Sequence, residues 1–177
     1  MRVSQVYTAA PSEERCAVEM ETFVLLDRLG IPYTLVAHDM ANTIEDCAAV
    51  DAALGISICK NLFLCNRQKT EFYLLAMPGD KLFQTKELSR QLGTARLSFA
   101  PPERMEELLG CAPGSASVLG MAYDKSHQVH LLMDREVYES EWFGCHPCKS
   151  DATLRIQTRD LLNIFFPYTG HPVTVVD

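Results

Sequence analysis

The sequence has no long hydrophobic run, and that absence limits the class of protein. Its 177 residues contain no apolar stretch of the roughly 18 residues that a membrane-spanning helix needs. The first residues hold no apolar core of the kind found in signal peptides, so we expect a cytoplasmic protein. A hydrophobic content of 47% is typical of a folded protein with a full core, and the length predicts one domain over residues 1–177.

An excess of positive charge is also missing. The net charge of −7 argues against a surface that coats nucleic acid, although a small basic patch that receives one end of an RNA remains compatible with it. The sequence contains no Walker, G-x-S-x-G or G-x-G-x-x-G signature. Their absence gives no indication of a phosphate-binding loop or a serine-hydrolase elbow, and no cofactor is predicted.

Cysteine is present, but in an odd and scattered set of seven, which does not favour a disulfide framework. Cys145 and Cys148 have the C-x-x-C spacing of thioredoxin-like sites, and Trp142 precedes them. Such a site opens a helix early in its domain, whereas this one lies near the end and a β-like run follows it. Zinc binding by these two thiols and His146 would lack a fourth ligand. We therefore predict no metal and expect most of the cysteines to be small buried residues.

Hydrophobic periodicity predicts an irregular alternation of helices and strands. Helix signals begin at Ser12 and end at Gly30, and others cover residues 43–54, 85–92, 101–109 and 158–165. Strand-like runs cover residues 33–37, 60–65, 72–77, 96–100, 118–123, 129–133, 141–145 and 153–157. The pattern predicts a single α/β (α+β) domain in which helices surround a mixed, largely antiparallel sheet.

A lysine stands at the mouth of one predicted strand, which is an uncommon place for it. Lys60 and Asn61 precede the apolar run 62–64. Lysine is almost never buried without a partner, so either its ammonium group reaches solvent or the fold holds a cation in a pocket. Of the five histidines, His38 and His146 are the notable ones because each follows a predicted strand in a loop.

Several segments between about residues 20 and 166 form one ordered set. They are His38 with Thr43-Ile44-Glu45-Asp46, Lys60-Asn61-Leu62-Phe63-Leu64, Leu97-Ser98-Phe99-Ala100, Gly110 with Pro113-Gly114-Ser115-Ala116-Ser117, and Gly144-Cys145-His146-Pro147 with Ala152-Thr153. In order and spacing they resemble the prolyl-tRNA editing family, the YbaK-type aminoacyl-tRNA deacylases. The stand-alone branch similar to alanyl-tRNA(Pro) deacylases fits best. Ser150 and Ala116 stand where the family commonly has Asn and Val.

The resemblance implies hydrolysis of the ester that joins an amino acid to the terminal ribose of tRNA. That ester is already activated, so a positioned water and a stabilised oxyanion suffice. The resemblance assigns catalytic roles to Lys60, which supplies positive charge, and to His146, which lines the pocket. It assigns substrate contacts to Thr43, Asn61, Gly114, Ser115, Pro147 and Ala152.

The implied partners are the acceptor end of mischarged tRNA(Pro) and a prolyl-tRNA synthetase, without membrane or metal. A small pocket that admits alanine and excludes proline would act as a second sieve. Candidate basic contacts for the RNA are Lys81, Lys86, Arg90 and Arg96. Three alternatives remain: deacylation of Cys-tRNA(Pro) or another small aminoacyl-tRNA, an inactive module that only binds tRNA or a synthetase, and a thiol oxidoreductase that uses Cys145 and Cys148.

Overall fold

The computed structural model describes residues 2–13, 15–40 and 44–177. The helices are α1 (Ala17–Arg28), α2 (Ile44–Leu54), α3 (Thr85–Leu92), α4 (Pro102–Leu109), a 3-10 helix (Val118–Ala122), α5 (Arg135–Tyr138), α6 (Thr158–Asp160) and α7 (Phe166–Thr169). A π-helical segment (Leu161–Phe165) joins α6 to α7. The strands are β1 (Tyr33–Ala37), β2 (Cys59–Cys65), β3 (Phe72–Pro78), β4 (Ser98–Phe99), β5 (Val129–Asp134), β6 (Trp142–Cys145), β7 (Ala152–Gln157) and β8 (Val173–Val176).

The strands form two sheets, where the sequence pattern predicted one. A three-stranded antiparallel sheet has the order β1-β7-β6, and a five-stranded sheet has the order β4-β2-β3-β5-β8. In the larger sheet β2 pairs antiparallel with β3 and β4, whereas β5 pairs parallel with β3 and β8. The predicted class, a mixed α/β domain with largely antiparallel pairing, is confirmed.

The main core lies between the two sheets. Leu35, Phe143 and Leu154 of the small sheet belong to the same buried cluster as Leu74 and Leu131 of the large one. The opposite face of the large sheet is covered by α3, and the opposite face of the small sheet by α2. Helices therefore flank the paired sheets, and β3 is buried on both faces along nearly its whole length.

Two local predictions are wrong. Residues 118–123 are not a strand, because Val118–Ala122 forms a 3-10 helix and Gly120 approaches α4 so closely that a Cβ would lie 2.6 Å from the Leu109 carbonyl oxygen. The first helix begins at Ala17 rather than near Ser12, since Cys16 has an extended backbone and no side-chain cap. Among the described residues, no helix has the length and apolar character needed to cross a bilayer.

A buried ion network ties α1 to the loop that follows β6. Glu19 is fully buried, and its Oε1 lies 2.7 Å from Arg15 Nε. Arg15 Nη2 donates in turn to Asp151 Oδ1 at 2.8 Å, and Lys149 Nζ lies 2.6 Å from the other Asp151 oxygen. The His38 N–H donates to the Asp151 carbonyl oxygen at 2.9 Å. The network fixes the loop 146–151 against the first helix.

We expect Glu19→Ala to lower the free energy of unfolding by about 3 kcal/mol, because it leaves the Arg15 guanidinium buried without its closest partner. Glu106→Ala makes the same change at an exposed position of α4 and should stay within about 0.5 kcal/mol of wild type. Urea denaturation measures both values. Equal losses in the two variants would contradict the role of the network.

Candidate active site

The open edge of β2 forms one wall of a large cavity. Strand β4 pairs with β2 only at Leu64 and Cys65, so the earlier part of β2 has no paired strand on that side among the described residues. A cavity of about 960 Å³ occupies this place. Lys60, Asn61, Gly114 and His146 all line it, and so do apolar side chains of β2 and α4. The cavity brings together four of the residues that the resemblance singled out.

The Lys60 ammonium group is held at the cavity wall by backbone carbonyls. Its Nζ donates to the Gly79 carbonyl oxygen at 3.3 Å and to the Lys81 carbonyl oxygen. No carboxylate pairs with it in the part of the chain that the structure describes. An ammonium group has three N–H donors, so one remains for a ligand after these two bonds.

Asn61 follows Lys60 on β2 and carries a buried acceptor without a partner in the described chain. Its Oδ1 is buried and has no hydrogen-bond partner among the described residues, although the residue lines the cavity. A buried polar atom without a partner costs about 1–3 kcal/mol, and such atoms are rare in native proteins. Among the described residues that line the cavity, Asn61 is the one with such an atom.

Two backbone contacts fix the ring and the main chain of His146. Its Nδ1 lies 2.8 Å from the Ala152 carbonyl oxygen, which can only accept, so Nδ1 carries the proton. The buried Ser117 hydroxyl donates to the His146 carbonyl oxygen at 2.6 Å. Within residues 2–13, 15–40 and 44–177 no group bonds to Nε2, which leaves this nitrogen as a free acceptor.

His38 lies next to His146. Its ring lies 6.3 Å from the His146 ring, measured between centroids. Its Nδ1 donates to the Asp39 carbonyl oxygen at 2.8 Å, so its Nε2 accepts from the Thr153 hydroxyl at 2.9 Å. With both ring nitrogens occupied, His38 acts as a neighbour of His146 and not as a ligand group.

The other predicted contacts divide between the cavity and its support. Gly114 lines the cavity, and its φ of 83° requires glycine. Ser115, a predicted substrate contact, is buried, and its N–H donates to the Ala112 carbonyl oxygen at 2.9 Å. Pro147 and Ala152 are buried and do not line the cavity. Thr43 lies outside the described residues.

Two of the four predicted basic contacts for RNA are already neutralised. Lys81 Nζ lies 2.8 Å from Asp134 Oδ2 and 3.0 Å from Glu136 Oε1, and Arg90 pairs with Glu87. Lys86 and Arg96 are exposed, and neither has an ion pair among the described residues. Only these two remain available as basic contacts from the predicted set.

Sequence reasoning missed three residues of this region. Ser117 orients the His146 backbone, Phe99 lines the cavity with 65% of its surface exposed, and Asp51 of α2 also lines it. Phe99 and Ser117 lie within motif segments, where the resemblance gave them no role. Nothing in the sequence signals Asp51, since an acid in a helix is ordinarily a solvated residue.

The cysteine pair is built into the core. Cys145 and Cys148 are 0% and 1% exposed, and burial raises the pKa of both thiols well above the usual value. For Cys148 the neighbouring Cys111 thiol is the largest cause. Thiols with raised pKa values are poor nucleophiles, so these two lack the character of a redox pair. In the described part of the chain, no group of three or more His, Cys, Asp or Glu is arranged to hold a metal ion.

Comparison with known proteins agrees with the resemblance. Residues 38–164 match the family described as "Aminoacyl-tRNA editing domain". The chain belongs to this family. Prediction of the YbaK-type editing family, and of an aminoacyl-tRNA deacylase as the enzyme class, is confirmed at that level.

Individual relatives cover most of the chain. The prolyl-tRNA editing protein ProX of Acetoanaerobium sticklandii is 32% identical over 139 residues, which is 78% of this chain and 85% of the relative. Prolyl-tRNA synthetase associated domain-containing protein 1 of Danio rerio is 30% identical over 176 residues, which is 98% of this chain and 94% of the relative. A crystal structure of a candidate trans-editing enzyme for prolyl tRNA synthetase shares the fold, with a TM-score of 0.66, 18% identity, and coverage of 92% and 98%.

We expect His146 to be uncharged at neutral pH. Burial lowers its pKa below the usual 6.5, and the nearby His38 adds to this, whereas the Ala152 carbonyl and Asp151 oppose it. The neutral ring should therefore persist below pH 6.5, and any rate that depends on Nε2 should fall only as the pH drops through the lowered pKa. NMR titration of the His146 Cε1 proton, assigned with His146→Asn, measures this. A midpoint above 6.5 would show that the cavity favours imidazolium.

Proposed function

We propose that this protein is a trans-editing deacylase that hydrolyses the ester of mischarged tRNA(Pro), with Ala-tRNA(Pro) as the substrate. One observation supports this most directly. The spare N–H of Lys60, the unpaired Oδ1 of Asn61 and the wall residue His146, with its free Nε2, belong to one cavity in a chain of the editing family. The relative ProX is named for prolyl-tRNA editing, which supports the choice of tRNA.

The proposed reaction uses water as the nucleophile. The oxygen of a water bound at His146 Nε2 attacks the ester carbonyl carbon, and the neutral ring accepts a proton from it. The bond between that carbon and the ribose oxygen then breaks, and the ribose oxygen takes the proton from the ring. The products are the free amino acid and tRNA with an intact terminal ribose.

Residues of β2 stabilise the negative charge of the substrate. The remaining Lys60 donor faces negative charge, either on the carbonyl oxygen as it becomes an oxyanion or on the terminal phosphate. Asn61 Oδ1 accepts from a hydroxyl or amine of the substrate and so gains the partner that it lacks. Because backbone carbonyls already hold the ammonium group in place, little reorganisation is needed when the charge develops.

The size of the cavity indicates how much of the substrate it takes. A volume of about 960 Å³ is at the upper end of ordinary small-ligand sites and far exceeds an alanyl group. It suits an aminoacyl group together with the terminal nucleoside. The sieve that excludes proline would then be only the part of the cavity around the amino acid.

The proposed partner is the acceptor end of tRNA in the cytoplasm. Phe99 lines the cavity, is 65% exposed, and its ring meets Phe83 edge-on at 6.1 Å. Leu82, beside Phe83 in sequence, is 84% exposed. Since the aminoacyl group is covalently attached to the last nucleotide, the base of that nucleotide lies near the same cavity. An exposed ring there provides a stacking surface.

A deacylation panel tests the proposed function. We expect wild type to release alanine from Ala-tRNA(Pro) faster than it acts on the cysteinyl, seryl or prolyl forms. Lys60→Ala should lower the rate by about 10²–10³ because one electrostatic contact to the transition state is lost. Lys125→Ala removes an exposed lysine outside the cavity and should leave the rate unchanged.

The same panel separates the alternatives. Preference for the cysteinyl form would replace alanine as the substrate, and tRNA binding without turnover would identify a binding module that engages tRNA or a prolyl-tRNA synthetase. Full activity of Lys60→Ala would refute the catalytic assignment.

Removal of the exposed ring should weaken tRNA binding more than it slows chemistry. For Phe99→Ala we expect the KM for charged tRNA to rise about tenfold, since stacking of one base contributes about 1–3 kcal/mol. Phe99→Tyr keeps the ring and should remain close to wild type. Tyr138→Ala removes a half-exposed aromatic side chain that does not line the cavity and is the matched control. An unchanged KM in Phe99→Ala would exclude the stacking role.

A further inference from the structure

The cavity contains a carboxylate that the deacylation scheme does not use. Asp51 lies near the end of α2, lines the cavity, and its Oδ1 accepts from the Ile58 N–H at 2.9 Å. No lysine, arginine or histidine of the described chain forms an ion pair with it, and its Oδ2 has no partner there. Burial raises the pKa of this carboxyl group, and the Ile58 N–H partly offsets the effect.

Local structure does not account for the charge on Asp51. The bond from Ile58 joins the end of α2 to the start of β2, but asparagine could accept the same bond through its own Oδ1. The position is also unfavourable for an anion, since the C-terminal end of a helix carries partial negative charge. A half-buried carboxylate without a cation therefore suggests that the cation comes with a ligand.

The carboxylate lies close to the catalytic strand. Besides burial, Asp51 contributes to raising the pKa of the Cys59 thiol to about 11, and Cys59 immediately precedes Lys60 on β2. Among the described residues, the cavity walls therefore have an ammonium group without a carboxylate partner and a carboxylate without a cationic partner. A ligand that fits this pattern carries both a cation and an electron-rich oxygen.

An aminoacyl ester has this pattern. Its α-ammonium group is attached to the carbon next to the ester carbonyl, whose oxygen becomes negative during hydrolysis. We propose that Asp51 is a specificity-determining residue that binds the α-ammonium group of the aminoacyl ester, so that the site selects α-aminoacyl over α-hydroxyacyl groups. This inference rests on the proposed function and adds to it a chemical criterion that is independent of side-chain size.

Binding of two stable ligands tests the assignment without turnover. One is 3′-alanylamido-3′-deoxyadenosine, in which an amide replaces the ester, and the other is its 3′-lactylamido counterpart, which has a hydroxyl in place of the ammonium group. Calorimetry at neutral pH gives the dissociation constants. We expect wild type to prefer the alanyl ligand by roughly 10- to 100-fold, the usual range for a hydrogen bond between charged groups.

Two variants make the test specific. Asp51→Asn keeps the acceptor for Ile58 N–H, so we expect it to lose the preference while binding the lactyl ligand as wild type does. Asp80→Asn removes the same charge from an exposed position on the cavity wall and should keep the preference. The affinity for the lactyl ligand reports in each variant that the site is folded.

Each other outcome overturns the assignment in a recognisable way. Equal affinity of wild type for both ligands, or an undiminished preference in Asp51→Asn, shows that Asp51 does not bind the ammonium group. Loss of the preference for the alanyl ligand in both variants shows that the preference arises from the overall negative charge of the cavity and not from a contact with Asp51. If wild type binds neither ligand, the proposed function itself fails, and the assignment of Asp51 fails with it.

Discussion

The site depends on a strand edge that is left unpaired. Only the last two residues of β2 pair with β4, so the edge of the segment that carries Lys60 and Asn61 faces a cavity instead of another strand. Exposed edges ordinarily invite pairing with other chains, and proteins cover or charge them. Here helix α4 and the loops that carry Gly114 and His146 cover the edge while leaving space beside it. The arrangement places a lysine where its stem is half-buried and its ammonium group reaches backbone carbonyls.

The opposite wall is positioned by contacts outside the cavity. Ala152 and Ser117 hold the ring and the backbone of His146, and Asp151, next in sequence to Ala152, is tied to α1 through Arg15 and Glu19. The tautomer of His146 is therefore a consequence of how the loop before β7 is anchored. A change in the ion network can alter the site even though none of its members lines the cavity.

Much of the fold and part of the site followed from the sequence, for physical reasons that differ between segments. The strands β2 and β3 were predictable because a polar turn separates two apolar runs. The 3-10 helix was not, because Val118, Leu119, Gly120 and Met121 are all buried and no periodicity distinguishes a strand from a tight helix. Lys60 and His146 were found through motif resemblance.

The Ser115 N–H donates to the Ala112 carbonyl oxygen, and the Asp51 carboxylate accepts from the Ile58 N–H but has no cation beside it among the described residues. Such contacts cannot be inferred from residue types and spacing. The C-x-x-C pair shows the converse limit, since its spacing suggests redox chemistry while burial removes the thiolate that this chemistry needs. Sequence patterns locate the groups in this chain, and only the packing around them decides which atoms are free to react.

The charges of the cavity bear on how a small amino acid can be recognised at all. Apolar contacts distinguish one methylene by only about 1–3 kcal/mol, and an alanyl side chain offers a single methyl group. In a cavity of about 960 Å³, most of the binding must therefore come from parts that all aminoacyl-tRNAs share. The carbonyl, the α-ammonium group and the terminal nucleoside are such parts.

Selectivity for alanine over proline then requires a steric limit close to the α-carbon, because proline differs from alanine in a ring that closes on the amino nitrogen. A carboxylate that holds this nitrogen would bring the ring against the cavity wall, so that recognition of the shared group also sets the position at which the larger side chain is excluded.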